Sequence, residues 1–141
     1  MSLKPKILVL ALMCFAANQT YQDSTFEHNN LRCLAANVYH ESRGEPILGQ
    51  LAVAQVTKNR SESGDYCAAV FSPYQFSWTL KKSANYDSLS MLIAQQVHAG
   101  SHPLENFSAK FYHQKTIKPL WAKKLRRLTQ IGNHVFYENK T

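Results

Sequence analysis

The sequence lacks the motifs that mark several common enzyme classes. It contains no G-x-S-x-G motif and no glycine-rich phosphate-binding loop, so serine hydrolase and nucleotide-binding interpretations have no support. His40 and Glu41 begin a segment that resembles the H-E-x-x-H zinc motif, but position 44 is glycine. No two cysteines have C-x-x-C spacing, and there is no internal repeat. We therefore expect neither a metal nor a cofactor.

Apolar runs long enough for a membrane-spanning helix, which needs about 20 apolar residues, are also missing. The longest run, Ile7 to Ala17, follows two lysines and ends in small residues. This pattern is typical of a secretory signal peptide, with an uncleaved signal anchor as the alternative. We predict a signal peptide over residues 1–17, export to the periplasm, cell wall or extracellular space, and no stable membrane span after its removal.

Acidic residues are scarce. The 141-residue chain has 9 Asp and Glu against 16 Lys and Arg, which gives a formal net charge of +7. Loss of residues 1–17 would remove two lysines and leave +5. For an exported chain, a basic balance favours anionic polymers of the cell envelope as partners, before nucleic acid. The length allows one domain, which we expect to be a monomer.

The chain has only three cysteines, and Cys14 would leave with the signal peptide. Cys33 and Cys67 remain, and two cysteines can pair in only one way. We predict a disulfide between them. The alternative is a pair of buried free thiols.

The periodicity of apolar residues predicts a mainly helical domain. Residues 18–30 are polar and aperiodic, which indicates a flexible tether, and the folded domain is expected over residues 31–138. One helix begins at Leu31 and is broken at Gly44 and Pro46, and a second, from Pro46 or Ile47 to Asn59, is apolar nearly all round and should be central.

The second half of the domain combines a helix with short β-prone segments. A third helix is expected after Asp87 or Ser88, with Leu89, Leu92, Ile93 and Val97 on one face, and should end at Gly100. Residues 109–113 and 134–137 are aromatic and β-prone and could pair as a small antiparallel ribbon. These patterns predict an α+β, mainly helical single domain.

Glu41 and Glu45 are the strongest candidates for chemistry. A helical wheel places Glu41 at the rim of the apolar stripe and His40 towards solvent. Partial burial and a second carboxylate nearby both disfavour ionisation, so one of the pair should have a raised pKa, as a general acid requires. The alternatives are structural: Glu41 could pair with Arg43 or Arg60, and Glu45 could cap the second helix.

Aromatic residues are dense for a chain of this size. Aromatic faces stack on sugar rings, and polar side chains beside them can bind hydroxyl and acetamido groups. Core packing explains most of the aromatics equally well. The predicted substrate-binding residues are Gln75, Phe76, Ser77, Trp78, Tyr112, His113, Trp121, His134 and Tyr137.

Five segments in a fixed order point to one family. They are Leu34–Pro46, Gly49–Val56 with Asn59–Arg60, Gln75–Trp78, Tyr112–His113 with Pro119–Ala122, and Ile131–Tyr137. On these segments the chain resembles the SleB-type cell-wall hydrolases, which include spore-cortex-lytic enzymes and related bacterial and phage lysins. The resemblance implies a lysozyme-like or transglycosylase-like fold that cuts the glycan strands of peptidoglycan. It also implies that Glu41 is the essential acid and that Glu45 has a supporting role.

The expected reaction is that of a lytic transglycosylase at the bond between N-acetylmuramic acid and N-acetylglucosamine, with Glu41 as general acid and then base. A water-using muramidase is the first alternative, and it usually needs a second carboxylate. A second alternative is an N-acetylmuramoyl-L-alanine amidase, which usually needs zinc. The third is an exported envelope-binding protein without catalytic activity.

Overall fold

A computed structural model describes residues 5–81 and 83–140, with side chains from residue 12 onward. The first helix, α1, spans Pro5–Ser42, and the side chains of residues 12–29 are exposed. This differs from the flexible tether predicted for residues 18–30. No glycine or proline lies between residues 6 and 43, so nothing in the local sequence ends the helix. Residues 1–4 of the predicted signal peptide lie outside the described residues. Within the described part, no helix is both long and apolar enough to cross a membrane.

The folded core begins at Asn30, which is 4% exposed. Its amide donates to the Gly64 carbonyl at 2.6 Å, and its Oδ1 accepts from the backbone N–H of Tyr66 at 2.6 Å. From this point α1 packs against the rest of the molecule, with Leu34, Ala35 and Val38 fully buried. The predicted domain start near Leu31 therefore lies next to Asn30, the first buried residue among the side chains described from residue 12 onward.

Helix α2, Ile47–Arg60, is the central helix, as predicted. One of its faces, which includes Leu51 and Ala54, packs against α1 and against the helix that contains Ile93. The opposite face packs against Ala109 and Phe136 on the side of the sheet. Because both faces are covered, apolar residues occur nearly all round the helix.

Helix α3 spans Tyr66–Phe71 and α4 spans Ser88–Ala99. Asp87 caps α4 by accepting from the N–H of Ser90, and Gly100 ends it in a left-handed conformation with φ 72°. Both ends were predicted. The buried face differs from the expectation: Ser90, Ile93, Ala94 and Val97 are buried, whereas Leu89 and Leu92 are 41% and 51% exposed. Short 3₁₀ helices lie at Glu62–Gly64, Ser77–Leu80 and Leu120–Lys124.

The predicted disulfide is confirmed. The Sγ atoms of Cys33 on α1 and Cys67 on α3 are 2.07 Å apart, and the bond links residues 34 apart in the sequence. Cys14 is exposed and free.

A three-stranded antiparallel sheet has the order β1-β3-β2. Strand β1 is Phe111–Gln114 and β3 is His134–Glu138, which confirms the predicted pairing, with Tyr112 opposite Phe136. The sequence did not predict β2, Arg126–Ile131, which pairs with the other edge of β3. As an edge strand with mostly exposed residues, β2 lacks the apolar alternation that would identify it.

Candidate active site

Glu41 lies in the last turn of α1, half-buried in a cleft of about 430 Å³. The helix ends one residue later, and Gly44, with φ 88°, turns the chain towards α2. The predicted break and the rim position of Glu41 agree with this structure. Six of the predicted site residues line the cleft: Glu41, Ser77, Tyr112, His113, Trp121 and His134.

Tyr112 on β1 is the hydrogen-bond partner of Glu41. Its phenol donates to Oε2 of Glu41 at 2.8 Å. Burial raises the pKa of Tyr112 well above its ordinary value of 10, and the charge of Glu41 and the hydrogen bond to it act in the same direction. The phenol therefore stays protonated and keeps donating across the physiological pH range.

Neither arginine forms an ion pair with Glu41, although burial lowers the pKa of Arg60 and the charges of Tyr112 and Glu41 partly offset that shift. The guanidinium of Arg43 donates to the hydroxyl of Tyr39 at 2.7 Å and lies 4.8 Å from the centre of that ring. Nε of Arg60 donates to the carbonyl of Lys110 at 2.5 Å. Among the side chains that the structure describes, Glu41 belongs to no ion pair.

The carboxylate of Glu45 is bound by the turn between β2 and β3. The backbone N–H of Asn133 donates to Oε2 at 2.9 Å, and Nδ2 of Asn133 donates to Oε1 at 3.0 Å. The expected capping of α2 is not seen, because Pro46 occupies the cap position and no side chain bonds to that end. Burial raises the pKa of Glu45, but the two bonds from Asn133, together with the charges of His134 and Lys115, outweigh it and hold the pKa below its ordinary value of 4.5. Glu45 is therefore ionised at neutral pH.

Gly132 allows this contact. It has φ 57°, a conformation that favours glycine, at the first position of the two-residue turn between β2 and β3. A Cβ atom at position 132 would collide with Oε2 of Glu45 and lie 3.0 Å from Cδ of Pro46. The close approach of the turn to Glu45 therefore requires glycine.

His134 stands beside both carboxylates. It is 4% exposed, its ring meets that of Tyr112 edge-on at 5.0 Å, and its buried Nδ1 has no partner among the described residues. Burial lowers the pKa of His134 below 6.5, and the charges of Glu45 and Glu41 partly offset this effect. His134 is therefore neutral at pH 7.

One wall of the cleft is aromatic. Nε2 of His113 lies 2.9 Å from the hydroxyl of Tyr137, and Nδ1 lies 2.8 Å from the Gln114 carbonyl. A neutral ring with its proton on Nδ1 satisfies both contacts, with Tyr137 as donor to Nε2. Trp121 packs against both rings, with centroids 5.6 Å from His113 and 5.7 Å from Tyr137. Tyr137 is 8% exposed and supports this wall from behind instead of lining the cleft.

Three predicted contact residues lie elsewhere. Gln75 lines a separate cleft beside Arg60. Phe76 and Trp78 are 5% and 4% exposed and pack behind Tyr112, so their burial does not support direct sugar contact. Nε1 of Trp78 donates to Oδ1 of Asn37 at 2.8 Å. The spacing of residues in a loop gave no signal for which ones would turn inward.

His40 was expected to face solvent, but in the structure it is only partly exposed. Its ring stacks on that of Trp78 with a centroid distance of 4.4 Å, and Nε2 contacts the carbonyl oxygen of Ser83 at 2.8 Å. The 3₁₀ helix at Ser77–Leu80 covers the side of α1 that the helical wheel alone left open. His40 therefore contributes to the cleft lining next to Glu41.

Residues 44–137, more than half of the chain, match the family model described as cell wall hydrolase. The chain belongs to the cell wall hydrolase family. The match begins three residues after Glu41, and it includes Glu45, β1 and the turn at Asn133.

Relatives of this cell wall hydrolase include two spore cortex-lytic enzymes. That of Bacillus subtilis (strain 168) is 29% identical over 119 residues, which cover 80% of this chain and 39% of the relative. That of Bacillus cereus is 27% identical over 118 residues, which cover 79% of this chain and 45% of the relative. The chain thus spans less than half the length of these relatives.

Solved structures of catalytic domains share the fold of this cell wall hydrolase. The catalytic domain of the germination-specific lytic transglycosylase SleB from Bacillus anthracis has a TM-score of 0.68 at 28% identity, covering 78% of this chain and 94% of that domain. The catalytic domain of the Bacillus cereus SleB protein has a TM-score of 0.69 at 26% identity, covering 79% of this chain and 91% of that domain. The mainly helical α+β fold with a small antiparallel sheet, predicted as lysozyme-like, is confirmed.

Several cleft residues of this cell wall hydrolase were not predicted individually. Gln114, Ile117 and Pro119 line the cleft beside Trp121. Pro119 lies in one of the segments that carried the family resemblance, and this resemblance could have identified it as a cleft residue. Gln114 and Ile117 had no such signal in the sequence. Among the described side chains, no three His, Cys, Asp or Glu residues come close enough together to hold a metal ion.

Proposed function

We propose that this protein is a lytic transglycosylase that cleaves the bond between N-acetylmuramic acid and N-acetylglucosamine in peptidoglycan. The observation that carries the proposal is the arrangement of the two glutamates. Glu41 lines the cleft and is held by one hydrogen bond from Tyr112, whereas both oxygens of Glu45 are occupied by Asn133. Such a site offers one carboxyl group for the reaction.

A single carboxyl group suffices for the transglycosylase reaction. Protonated Glu41 donates to the glycosidic oxygen as the bond to the anomeric carbon lengthens. The resulting carboxylate takes the proton of the C6 hydroxyl of the muramic residue, whose oxygen attacks C1 and leaves a 1,6-anhydro end. A muramidase of the usual kind needs a second carboxylate that acts on water or on the sugar. Against that role, Glu45 does not line the cleft and both of its oxygens accept hydrogen bonds from Asn133.

Tyr112 assigns roles to the two oxygens of Glu41. Because its phenol donates to Oε2, the acidic proton belongs on Oε1, which bonds to no described residue and can meet the substrate. After proton transfer the same phenol stabilises the new carboxylate without having to move. The aromatic wall of His113 and Trp121 then offers a stacking surface for a sugar ring beside the scissile bond.

The proposal is tested on purified sacculi with the wild-type protein and its Glu41→Gln variant. We expect the wild type to release muropeptides that lack one water relative to hydrolysed products, as mass spectrometry can show. Glu41→Gln should keep its fold and its binding to sacculi but release no products. Products with reducing ends in place of anhydro ends would show that the protein is a muramidase and not a transglycosylase. Full activity of Glu41→Gln would refute the assignment of Glu41 as the acid.

We further propose that the protein acts outside the cytoplasm as a monomer, after removal of residues 1–17. The spore cortex-lytic relatives, whose names place their activity on the spore cortex, support a wall substrate. N-terminal sequencing of the protein recovered from the envelope tests the cleavage site, and an intact Met1 there would contradict it.

A further inference from the structure

A second cleft, of about 520 Å³, adjoins the catalytic cleft. Two chain segments pass from one cleft to the other. Gln75 lines the second cleft, and Ser77, two residues later, lines the first. On the sheet side, Lys110 and Phe111 line the second cleft and Tyr112 lines the first. Residues that line the two clefts are therefore neighbours in the chain at two places, which puts the second cleft within reach of a branched substrate bound in the first.

Arg60 is a fixed cation in the second cleft. Its guanidinium carbon lies 5.2 Å from the ring centre of Phe76 and 5.8 Å from that of Phe111, and Nε is bound to the carbonyl of Lys110. Its two Nη groups make no hydrogen bond to any described residue, and no described carboxylate forms an ion pair with it. A guanidinium that is oriented in advance, with two free donors, is suited to bind a carboxylate.

The other charges in this cleft have both signs. Lys110 lines it next to Arg60, and Glu62 and Asp65 line it from the segment between α2 and α3. Oδ1 of Asp65 accepts from the N–H of Ala68, but neither acid forms an ion pair among the described residues. The cleft therefore presents unpaired groups for a ligand that carries a carboxylate and an amine.

Peptidoglycan contains such a ligand. The stem peptide extends from the lactyl group of muramic acid and carries free carboxylates and, in a diamino acid, an amine. We propose that the second cleft binds the stem peptide of the strand being cut, with its carboxylate on the two cations and its amine on the two acids. The inference rests on the proposed function, because only a glycan bound at Glu41 would direct its peptide into the neighbouring cleft.

The test compares two soluble substrates prepared from the same sacculi. One is glycan strands that keep their stem peptides, and the other is the same strands after an amidase has removed the peptides. We expect wild-type kcat/KM to be about tenfold higher on the peptide-bearing strands, the factor that about 1.4 kcal/mol of added binding supplies. Lys110→Gln should raise KM on the peptide-bearing strands about threefold and leave kcat on them unchanged. On the stripped strands, both kcat and KM should stay as in the wild type.

Further variants complete the test. Glu62→Gln should act like Lys110→Gln, and Arg60→Lys should raise KM on peptide-bearing strands about tenfold because the bidentate donor is lost. Thermal melting checks that Arg60→Lys is folded. If Arg60→Lys does not fold, the test depends on Lys110→Gln, since the side chain of Lys110 is exposed. Lys140→Gln removes an exposed cation outside both clefts and should change nothing.

The outcomes separate the two proposals. If wild type cuts both substrates with equal kcat/KM, or if Lys110→Gln weakens both equally, the peptide site is refuted and the transglycosylase stands. If neither substrate is cut, the proposed function itself fails.

Discussion

The phenol of Tyr112 donates a hydrogen bond of 2.8 Å to Oε2 of Glu41, a residue 71 positions earlier in the chain. This contact joins the first strand of the sheet to the last turn of α1. It fixes the orientation of the carboxyl group in the cleft, and its donor stays protonated because burial and the charge of Glu41 raise the pKa of Tyr112.

Tyr112→Phe should therefore impair turnover more than binding. Loss of a hydrogen bond to a group that becomes charged in the reaction should lower kcat about 10-fold to 100-fold, with little change in KM. The matched control is Tyr137→Phe, which removes a hydroxyl bound to His113 and should mainly raise KM. Steady-state digestion of soluble glycan strands measures both. An unchanged kcat for Tyr112→Phe would contradict the role given to this contact.

Glu45 should make stability depend on pH in acid. Because its folded pKa lies below 4.5, the unfolded chain takes up the proton first, so the stabilisation is complete above pH 4.5 and is lost as pH falls through the folded pKa. Urea unfolding between pH 7 and 3 should therefore show a flatter curve for Glu45→Gln than for wild type. Burial lowers the pKa of His134, which adds a loss below pH 6.5, and the charge of Glu45 partly offsets that shift, so both curves are measured in a His134→Gln background. Parallel curves would count against the Asn133 contact.

Gly132→Ala should destabilise the protein by clearly more than Gly100→Ala. Both glycines have positive φ, 57° and 72°, so both substitutions cost about 1 to 2 kcal/mol of backbone strain. Only the Cβ at position 132 meets other atoms, the Glu45 carboxylate and Pro46, whereas nothing lies within 4 Å at position 100. Equal free energies of unfolding for the two variants would show that the turn does not need close approach to Glu45.

The two tryptophans should differ in what they support. Trp78 is 4% exposed and donates to Asn37, so Trp78→Phe should lower the free energy of unfolding by about 1 to 3 kcal/mol through an unsatisfied amide. Trp121 is 39% exposed in the cleft, so Trp121→Ala should raise KM for glycan while changing stability less. Chemical denaturation and digestion kinetics on both variants test the distinction. Full stability of Trp78→Phe combined with a raised KM for glycan would contradict this distinction.

The Cys33–Cys67 disulfide closes a loop of about 35 residues between α1 and α3. In the chain-entropy model, replacing both cysteines with serine should cost about 3 to 4 kcal/mol of stability. Cys14→Ser, at an exposed free thiol, should cost nothing measurable. Urea denaturation compares them, and a double variant as stable as wild type would mean that the bond does not constrain the unfolded chain.

Local signals predicted most of the helical framework. Gly44 and Pro46 end α1, Asp87 and Gly100 bound α4, and the apolar residues of α2 marked it as central. Each of these signals acts within a few residues, through capping, backbone conformation or periodic burial. Strand β2 escaped prediction because an edge strand that opens with Arg126 and Arg127 has little burial to make it periodic.

The candidate site was only partly predictable. The rim position of Glu41 followed from helix geometry, but the helical wheel did not show that Trp78, from a distant loop, stacks on its neighbour His40. Likewise the loop residues Gln75, Phe76 and Ser77 were all predicted to bind substrate. In the structure Gln75 lines the second cleft, Phe76 lies in the core, and Ser77 lines the catalytic cleft.

The sequence by itself determined the C-terminal end of α1, the bounds of α4, the cysteine pair, the two β-prone segments and the choice of Glu41 and Glu45 as the acids to consider. Only the tertiary structure decided what each acid does, because it brings Tyr112 to Glu41 and Asn133 to Glu45 across separations of 71 and 88 residues. The physical reason is that hydrogen bonds and burial set the protonation and orientation of a carboxyl group, and both depend on the path of the folded chain.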